Sequence, residues 1–189
     1  SYRHPDLDNR LTKQRCRFET RLLEKCFKAG IRVPRVIKVE ATTMFLECLT
    51  GPTVRVAIES ALDANTEESK LLLEQLSSSM GEMVAQLHHR GVVHGDLTTS
   101  NFVLHEVEIE QHVYLIDFGL AVSTVSAEAR AVDLVVWDRA VEATHPRLTG
   151  TSFADTFHKK YADCAPDANA TVTRLQQVRL RGRKRELFG

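Results

Sequence analysis

Residues 92–101 read VVHGDLTTSN and residues 113–119 read VYLIDFG, and these two stretches decide what the chain can be. They supply three oxygen-bearing side chains, Asp96, Asn101 and Asp117, each on a short loop beside a strand-like apolar segment. Carboxylate and amide oxygens are ligands that Mg²⁺ prefers, and Mg²⁺ leaves much of its shell to phosphate and water. An ordinary turn at either place is the alternative interpretation, because Asp and Gly both favour turns.

The spacing of these residues is typical of phosphoryl transfer. In that chemistry one carboxylate orients the attacking hydroxyl, while an amide and a second carboxylate hold Mg²⁺ on the nucleotide phosphates. The interval from Asp96 to Asn101 and the Asp-Phe-Gly triplet that begins at Asp117 both match the protein-kinase signature set. Short triplets occur by chance, but two motifs in this order, separated by one hairpin, favour the functional interpretation.

Composition is that of an ordinary globular protein. The 189 residues suffice for one domain, or for a domain with a small attached lobe, and 43% of them are hydrophobic. The formal net charge is zero, so any contact with nucleic acid has to come from local charge. The four cysteines (Cys16, Cys26, Cys48 and Cys164) lack metal-ligand spacing, and we expect reduced thiols in a protein of the cytoplasm and nucleus. No apolar run approaches transmembrane length, so we expect no membrane association.

Hydrophobic periodicity predicts a mostly helical chain with a few strands. The predicted helices span about residues 6–28, 53–62, 67–90, 127–143, 152–161 and 171–180. The predicted strands span about 33–40 and 43–49, followed by a hairpin of 102–104 and 113–116 around a polar loop at 106–112. Phe18 and Phe27 belong to the apolar stripe of the first helix, and Thr66 is the expected N-cap of the third. We expect His88 and His89 to form a cation pair at the negative end of that helix, rather than a metal site.

The order of these elements resembles the C-terminal lobe of a protein kinase with the last part of its N-terminal lobe. More narrowly, the segments HGDLTTSN (94–101), LIDFGL (115–120) and VRLRGRKR (178–185) look like the small atypical kinase/ATPase subunit of the KEOPS (EKC) complex. The resemblance extends over nearly the whole chain and includes the YRHP segment at residues 2–5. It implies an α+β, protein-kinase-like fold, with a mostly helical C-lobe that carries the catalytic hairpin. The N-lobe would be incomplete, with one long helix and two strands.

The resemblance also implies roles for individual residues. Asp96 resembles the catalytic aspartate, and Asn101 and Asp117 resemble the Mg²⁺ ligands. Glu19 resembles the glutamate that pairs with the phosphate-binding lysine, although a solvated helix charge is the usual fate of a glutamate. Asp133 resembles the aspartate that braces the catalytic loop from the helix behind it, where a buried carboxylate would accept backbone N–H groups.

The segment after the second strand resembles the hinge that holds adenine. There we expect the carbonyl of Glu47 and the amide of Leu49 to meet the adenine edge, with Leu46 at the back of the pocket. A plain strand end is an equally open interpretation. We expect His94 to pack and hydrogen-bond within the catalytic loop, because the motif places Asp96 better to act as the base.

Three departures from ordinary kinases change the expected function. No glycine-rich loop or lysine strand precedes Glu19, and in the family both lie just upstream of the YRHP segment. We therefore expect a truncated chain that is incompetent alone for lack of the upstream nucleotide-binding segment. Gly95 stands where ordinary kinases have the arginine that reads a phosphorylated activation loop, and no Ala-Pro-Glu motif follows. Thr98 replaces a lysine that neutralises the transferring phosphate, so we expect slow turnover unless a partner or the basic tail supplies charge.

A dense basic run lies near the C-terminus. Five of its seven residues are cations, namely Arg179, Arg181, Arg183, Lys184 and Arg185. A solvated end or a nuclear-import patch would explain such a run. The position of the run in the family favours contact with transfer RNA or with a partner enzyme, and such binding to phosphates should weaken steeply with salt. The implied division is a partial N-lobe at 1–49, a kinase-like C-lobe at 50–178 and a basic tail at 179–189.

Together these features predict an ATP- and Mg²⁺-dependent atypical serine/threonine kinase or ATPase. The family resemblance implies that it acts in a KEOPS/EKC-type complex that supports threonylcarbamoyladenosine modification of transfer RNA. The implied partners are the other subunits, especially the threonylcarbamoyl-transferring enzyme and the small kinase-binding subunit. Two alternatives stay open, a small-molecule kinase of the aminoglycoside or choline type and a non-catalytic scaffold. The short interval from Asp117 to Asp133 and the arginine-rich tail count against the small-molecule kinase.

Overall fold

The computed structural model describes residues 5–108, 110–165 and 168–188, with side-chain surroundings for residues 10–108, 110–165 and 168–180. Residues 2–4 of the YRHP segment lie outside this part of the chain. The elements are α1 (Pro5–Lys28), β1 (Val36–Glu40), β2 (Thr43–Leu46), α2 (Val54–Ala64), α3 (Glu67–His89), β3 (Val92–Val93), a 3₁₀ turn (Thr99–Asn101), β4 (Phe102–Val107), β5 (Glu110–Leu115), β6 (Val122–Ser123), α4 (Ala127–Thr144), a second 3₁₀ turn (Pro146–Leu148), α5 (Phe153–Cys164) and α6 (Ala168–Phe188).

Helix α1 carries one buried stripe, and its predicted span is confirmed. Cys16, Leu23 and Cys26 are buried on this stripe. Gly30 follows the helix with a φ of +79°, a left-handed conformation that glycine adopts readily. Glu19 shares the face of Leu23 and Cys26, at helical spacings of four and seven residues. The stripe therefore turns one carboxylate toward the rest of the fold.

Two aromatic residues assigned to that stripe lie outside it. Phe18 and Phe27 remain 43% and 48% exposed, so the prediction that they face inward is wrong. Phe18 lies four residues before the buried Leu22 and Phe27 four residues after the buried Leu23. A spacing of four residues leaves an offset of about 40° around the helix, and here the offset places both rings at the solvent-facing edges of the stripe.

Strands β1 and β2 form an antiparallel hairpin. Both strands are shorter than the predicted 33–40 and 43–49. Pro34 has no N–H to donate to a ladder, so the regular pairing begins only after it. Beyond β2, the amide of Glu47 donates to the carbonyl of Arg35 at 2.9 Å, which holds the chain against the sheet as it leaves.

Local capping sets the limits of helices α2 and α3. The hydroxyl of Thr53 accepts the amide of Val56 at the start of α2. Thr66 and Ser69 exchange side-chain and backbone hydrogen bonds in a capping box, so the predicted N-cap of α3 is confirmed. Gly91, with a φ of +66°, turns the chain from α3 into the short strand β3, which leads to the loop of residues 94–98, called the HGD loop after its first three residues.

Helices α3, α4 and α5 form the packed base of the C-terminal part. Trp137 of α4 stacks on Phe157 of α5 with ring centroids 3.6 Å apart, and both side chains are fully buried. Gly81 of α3 permits a close approach, because a Cβ atom there would lie 2.4 Å from the carbonyl oxygen of Phe157. One turn earlier, the hydroxyl of Ser77 donates to the carbonyl of Phe153 at 2.5 Å. This base supports the loops that carry the motif residues.

The hairpin β4–β5 is longer than predicted. Its six-residue strands pair in register from Phe102 with Leu115 to Val107 with Glu110, and Glu108 adopts a φ of +60° in the turn. The prediction of a polar loop between the strands is wrong. Polar side chains on the outer part of a strand do not prevent its backbone from pairing, and here the pairing continues to the turn.

The C-terminal helices all occur where the periodicity predicts them, although α6 is longer than expected. It runs without interruption from Ala168 to Phe188, so the predicted boundary between a lobe ending at 178 and a tail beginning at 179 falls inside a helix. Within the described ranges, none of the helices combines the length and the apolar character needed to cross a bilayer.

Candidate active site

The HGD loop and the 3₁₀ turn after it hold Asp96 and Asn101 together. The side-chain nitrogen of Asn101 donates to the backbone oxygen of Asp96 at 2.8 Å and to its Oδ2 at 3.1 Å. The backbone amide of Asn101 donates to Thr98 at 3.0 Å. The side-chain NH₂ group of Asn101 is therefore used within the loop, and its Oδ1 atom is left as an acceptor for another group.

The segment that ends in Asp-Phe-Gly is bonded directly to this loop. The backbone amide of Ile116 donates to the carbonyl of Asn101 at 2.9 Å. The carbonyl of Ile116 lies 3.0 Å from the Nε2 atom of His94, and the buried ring of Phe118 meets the His94 ring edge to face at 5.2 Å. Asp117 is the residue between Ile116 and Phe118, so these contacts fix both of its neighbours against the loop that carries Asn101.

Both ring nitrogens of His94 are used in hydrogen bonds within the loop. The amide of Asp96 donates to Nδ1 at 3.3 Å, so the hydrogen is on Nε2 and is donated to the carbonyl of Ile116. The lone pair of the ring is therefore used inside the loop. His94 packs and hydrogen-bonds as the motif suggests, and it has no free nitrogen with which to act as a base.

Asp117 has a backbone conformation unusual for a residue other than glycine. Its φ is +61°, and its Oδ1 accepts the amide of Gly119 at 3.2 Å. Such conformations are uncommon for side-chain-bearing residues and often occur at functional sites. The side chain is exposed, and within the described residues its Oδ2 atom has no hydrogen-bond partner.

Asp133 of α4 lies under the HGD loop with its carboxylate buried. One oxygen accepts the amide of His94 and the other accepts the amide of Gly95, both at 2.8 Å. Hydrogen bonds to an ionised acceptor are about twice as strong as neutral ones. The geometry is that of a brace which holds the first half of the loop, and it matches the role that the resemblance implies.

His88 completes this buried network and was misassigned from the sequence. It is 1% exposed, with Nε2 3.0 Å from the carboxylate of Asp133 and Nδ1 2.9 Å from the hydroxyl of Tyr161. Burial lowers the pKa of His88, against the opposing effect of Asp133, so the ring is neutral. The predicted cation pair at the end of α3 is therefore wrong for His88. His88 lies four residues after Val84 and eight after Met80, both buried, and this helical spacing in the sequence indicates that His88 faces the core.

Helix α1 brings Glu19 to the Asp-Phe-Gly segment. Partial burial raises the pKa of Glu19, the nearby charge of Asp117 raises it further, and a hydrogen bond from the backbone of Phe118 opposes both effects. Glu19 is thus one of the charged groups beside the predicted metal ligand. Its expected pairing with a phosphate-binding lysine remains a prediction.

The predicted hinge residues line the exit from β2. Leu46, Glu47 and Leu49 are all half-buried, and Arg35 donates its amide to the side chain of Glu47 at 3.1 Å. In the described part of the chain, neither the carbonyl of Glu47 nor the amide of Leu49 has a backbone partner. Both groups are therefore available to a ligand, and their contact with adenine remains a prediction.

Gly95 has a structural reason to differ from the arginine of ordinary kinases. Its φ is +82°, and a Cβ atom there would lie 2.6 Å from the carbonyl oxygen of Leu120. A side chain at this position would have to displace the segment that follows Asp-Phe-Gly. The HGD loop and that segment are therefore in direct backbone contact.

The available donors suit a hard divalent cation. In the part of the chain that the structure describes, no group of three or more His, Cys, Asp or Glu side chains could hold a metal ion. This excludes a transition-metal cage among those residues. Mg²⁺ needs only one or two protein oxygens together with phosphate and water, and the oxygens of Asn101 and Asp117 fit that requirement.

Among the five cations of the C-terminal run, Arg179 differs from expectation. Its guanidinium bonds the carboxylate of Asp138, which also contacts His158 at 2.6 Å. Arg179 thus joins α6 to α4 and is not a free cation. The side chains of the other four (Arg181, Arg183, Lys184 and Arg185) lie outside the described residues.

Comparison with known proteins gives consistent relatives. A family model described as the lipopolysaccharide kinase (Kdo/WaaP) family matches residues 3–161. The EKC/KEOPS complex subunit BUD32 of Chaetomium globosum is 39% identical over 214 residues, covering 100% of this chain and 79% of the relative. The EKC/KEOPS complex subunit Tp53rkb of Mus musculus is also 39% identical, covering 100% of this chain and 77% of the relative. An EKC/KEOPS complex subunit of Schizosaccharomyces pombe is 37% identical with the same two coverages.

Two solved structures have a similar backbone. WaaP in complex with acyl carrier protein has a TM-score of 0.65 at 15% identity, covering 86% of this chain and 74% of that chain. The Rio2 kinase–ADP/Mg²⁺–phosphoaspartate complex from Chaetomium thermophilum has a TM-score of 0.55 at 16% identity, covering 92% and 56%. At these identities the likeness shows the fold alone. The predicted α+β, protein-kinase-like fold is confirmed.

Proposed function

The chain belongs to the lipopolysaccharide kinase (Kdo/WaaP) family of the matching model and to the family of EKC/KEOPS complex subunits, and from this premise we propose its function. It is an ATP- and Mg²⁺-dependent atypical serine/threonine kinase or ATPase. It acts in a KEOPS/EKC-type complex that supports threonylcarbamoyladenosine modification of transfer RNA. Its partners are the other subunits, especially the threonylcarbamoyl-transferring enzyme and the small kinase-binding subunit.

One observation carries the enzymatic part of this proposal. Asp96, Asn101 and the residue before Asp117 belong to one hydrogen-bonded unit, made by the side chain of Asn101 on one side and its carbonyl on the other. Two separate sequence motifs therefore present their oxygens from a single set of loops. The Rio2 relative of similar fold holds ADP and Mg²⁺, which supports a nucleotide and Mg²⁺ as the ligands here.

Each polar residue then has a distinct task. Asp96 orients the attacking hydroxyl and accepts its proton, because its neighbour His94 has no free lone pair. Asn101 and Asp117 hold Mg²⁺ through their oxygens, and bound Mg²⁺ would neutralise charge on the transferring phosphoryl group. Asp133 keeps the loop in shape from below through the amides of His94 and Gly95.

The segment after Asp-Phe-Gly supports control by assembly in place of control by phosphorylation. Only thirteen residues separate Gly119 from Asp133, and Leu120 lies against Gly95. Gly95 occupies the position of the arginine that binds a phosphorylated activation loop in ordinary kinases. An arginine side chain there would require the backbone of Leu120 to move. We therefore expect partner subunits, and not a phosphorylated loop, to set turnover.

The basic residues Arg181, Arg183, Lys184 and Arg185 provide a further part of the proposal. These four residues belong to helix α6, so they are spaced along a helix and not along an extended tail. We assign them to contact with transfer RNA or with a partner subunit. If phosphates are the ligand, the affinity should fall steeply as the salt concentration rises.

Replacement of the catalytic aspartate tests the function. The full-length protein with Asp96→Asn should lose ATP turnover and fail to restore threonylcarbamoyladenosine in cells that lack the endogenous subunit. Asp163→Asn is the matched control, because Asp163 is exposed and bonds only Lys159 on its own helix among the described residues. Unchanged turnover and restored transfer-RNA modification in Asp96→Asn would refute an enzymatic role and leave a scaffold.

A further inference from the structure

A second polar network contacts the 3₁₀ turn that follows the HGD loop. The Nε2 atom of His145 lies 2.8 Å from the hydroxyl of Thr99, and its Nδ1 atom lies 2.5 Å from a carboxylate oxygen of Glu59. Thr99 begins the 3₁₀ turn that ends in Asn101, Glu59 lies on α2, and His145 follows the last residue of α4. Three separate parts of the sequence thus meet at one imidazole.

The chemistry of this contact is specific. Thr99 and His145 are each 1% exposed, while the side chain of Glu59 is 44% exposed. A carboxylate can only accept, so the Nδ1 atom of His145 carries hydrogen and donates it to Glu59. The other ring nitrogen, Nε2, shares a hydrogen bond with the hydroxyl of Thr99. Removing that hydroxyl would leave a buried nitrogen without a partner, which is costly.

The position of His145 is set independently of the loop. Its amide donates to the carbonyl of Val141 at 2.8 Å, which ends α4. Arg147, two residues further along, bonds Asp63 at 2.6 Å and the carbonyl of Leu62 at 2.5 Å, both at the end of α2. The segment that carries His145 is therefore held by α4 and by the end of α2. Its imidazole can in turn hold the 3₁₀ turn in position.

What the turn positions is the side chain of Asn101. Between Thr99 and the buried Phe102, only Ser100 and Asn101 intervene, so a shift at Thr99 is transmitted within two residues. Asp133 holds only the first half of the loop, through the amides before Asp96. The second half has its own attachment at Thr99.

We propose that His145, held by Glu59, is a positioning residue that fixes the turn Thr99–Asn101 through the hydroxyl of Thr99 and so aims the Asn101 oxygen at Mg²⁺. The aiming at Mg²⁺ rests on the function proposed above, whereas the fixing of the turn does not. We call Glu59, His145 and Thr99 the clamp; Thr99 and His145 are buried, so the clamp supports the turn from inside the fold.

Hydrogen exchange of the full-length protein tests the clamp without any assumption about activity. Thr99→Val removes the hydroxyl at nearly constant size, and amide exchange at residues 100–103 should accelerate about five- to tenfold. Ser77→Ala is the matched control, because it deletes a buried hydroxyl whose partner is the carbonyl of Phe153 in α5 and not a group of the turn. Equal acceleration in the two variants, or none in Thr99→Val, would overturn the proposal. Should Thr99→Val fail to fold, Glu59→Ala at the exposed end of the clamp makes the same comparison.

Turnover tests the consequence for Asn101. In Thr99→Val, the Mg²⁺ concentration for half-maximal ATP turnover should rise about tenfold, since lost support of a metal ligand commonly costs about 10- to 100-fold. Thr99→Ser keeps the hydroxyl and should restore the wild-type Mg²⁺ dependence, which a general loss of stability would not explain. Thr99→Ser as impaired as Thr99→Val would overturn the proposal. If the wild-type protein shows no turnover, the proposed function fails, and hydrogen exchange still decides whether the clamp exists.

Discussion

Replacing Asp133 by alanine should destabilise the protein far more than deleting an exposed carboxylate. The carboxylate of Asp133 accepts two backbone amides at 2.8 Å and contacts His88 at 3.0 Å. His94 and His88 are both at most 1% exposed, so their donors would remain unsatisfied, at about 1–3 kcal/mol each. The amide of Gly95 can be rehydrated and adds less. We therefore expect a loss of about 3–5 kcal/mol in the free energy of unfolding, the sum of two buried unsatisfied donors and a smaller contribution from the third.

Urea unfolding followed by tryptophan fluorescence measures this loss. Trp137 is the only tryptophan and is fully buried on Phe157, so its emission reports the opening of the helical base. With a slope of about 2 kcal/mol per molar urea, the midpoint should fall by about 1.5–2.5 M. Asp163→Ala removes an exposed carboxylate that bonds Lys159 at 3.4 Å, and should change the free energy of unfolding by less than about 0.5 kcal/mol. Similar midpoints for the two variants would refute the bracing role of Asp133.

Three further predictions concern packing, pH and thiol reactivity. Gly81→Ala should lower the free energy of unfolding by about 1–3 kcal/mol, because its Cβ would lie 2.4 Å from the carbonyl oxygen of Phe157, and wild-type stability in urea would contradict this. Burial lowers the pKa of His88 below its ordinary value of 6.5, so the unfolded chain takes up this proton first as the pH falls. The free energy of unfolding should therefore decrease as the pH falls from about 7.5 to about 5.5. His88→Gln should make this dependence on pH weaker in parallel urea titrations. An identical dependence in both proteins would contradict the neutral, buried state of His88. Burial raises the pKa of the Cys26 thiol to about 11, whereas Cys48 is exposed, so iodoacetamide should alkylate the native protein at Cys48 and reach Cys26 only after unfolding, as peptide mass spectrometry would show.

The parts of the fold that could be predicted are those with a local signal. Helix α1 follows from its apolar stripe and from Gly30, and α3 follows from its capping box at Thr66. The extent of β4–β5 could not be predicted, because its outer residues are polar and are held only by pairing across the hairpin. The continuation of α6 beyond residue 180 could not be predicted, because Gly182 interrupts the basic run and glycine is a weak helix former.

The candidate site divides in the same way. Asp96, Asn101 and Asp117 stand in two short motifs whose spacing is visible in the sequence, and Asp133 follows from the resemblance. The partners of His88 and of His145 lie 45 to 86 residues away in the chain, so no local pattern could pair them. The engagement of Arg179 with Asp138 is hidden for the same reason, since 41 residues separate the two.

In the proposed function, Asn101 and Asp117 hold a magnesium–nucleotide pair in front of Asp96. Calorimetric titration of the full-length protein with ATP, in the presence and in the absence of Mg²⁺, tests it most directly. We predict that Mg²⁺ lowers the dissociation constant for ATP. In Asp117→Asn, the dissociation constant measured with Mg²⁺ should be at least about tenfold higher than in the wild-type protein. Equal ATP affinity with and without Mg²⁺ in the wild-type protein, or a gain that Asp117→Asn leaves intact, would contradict the account.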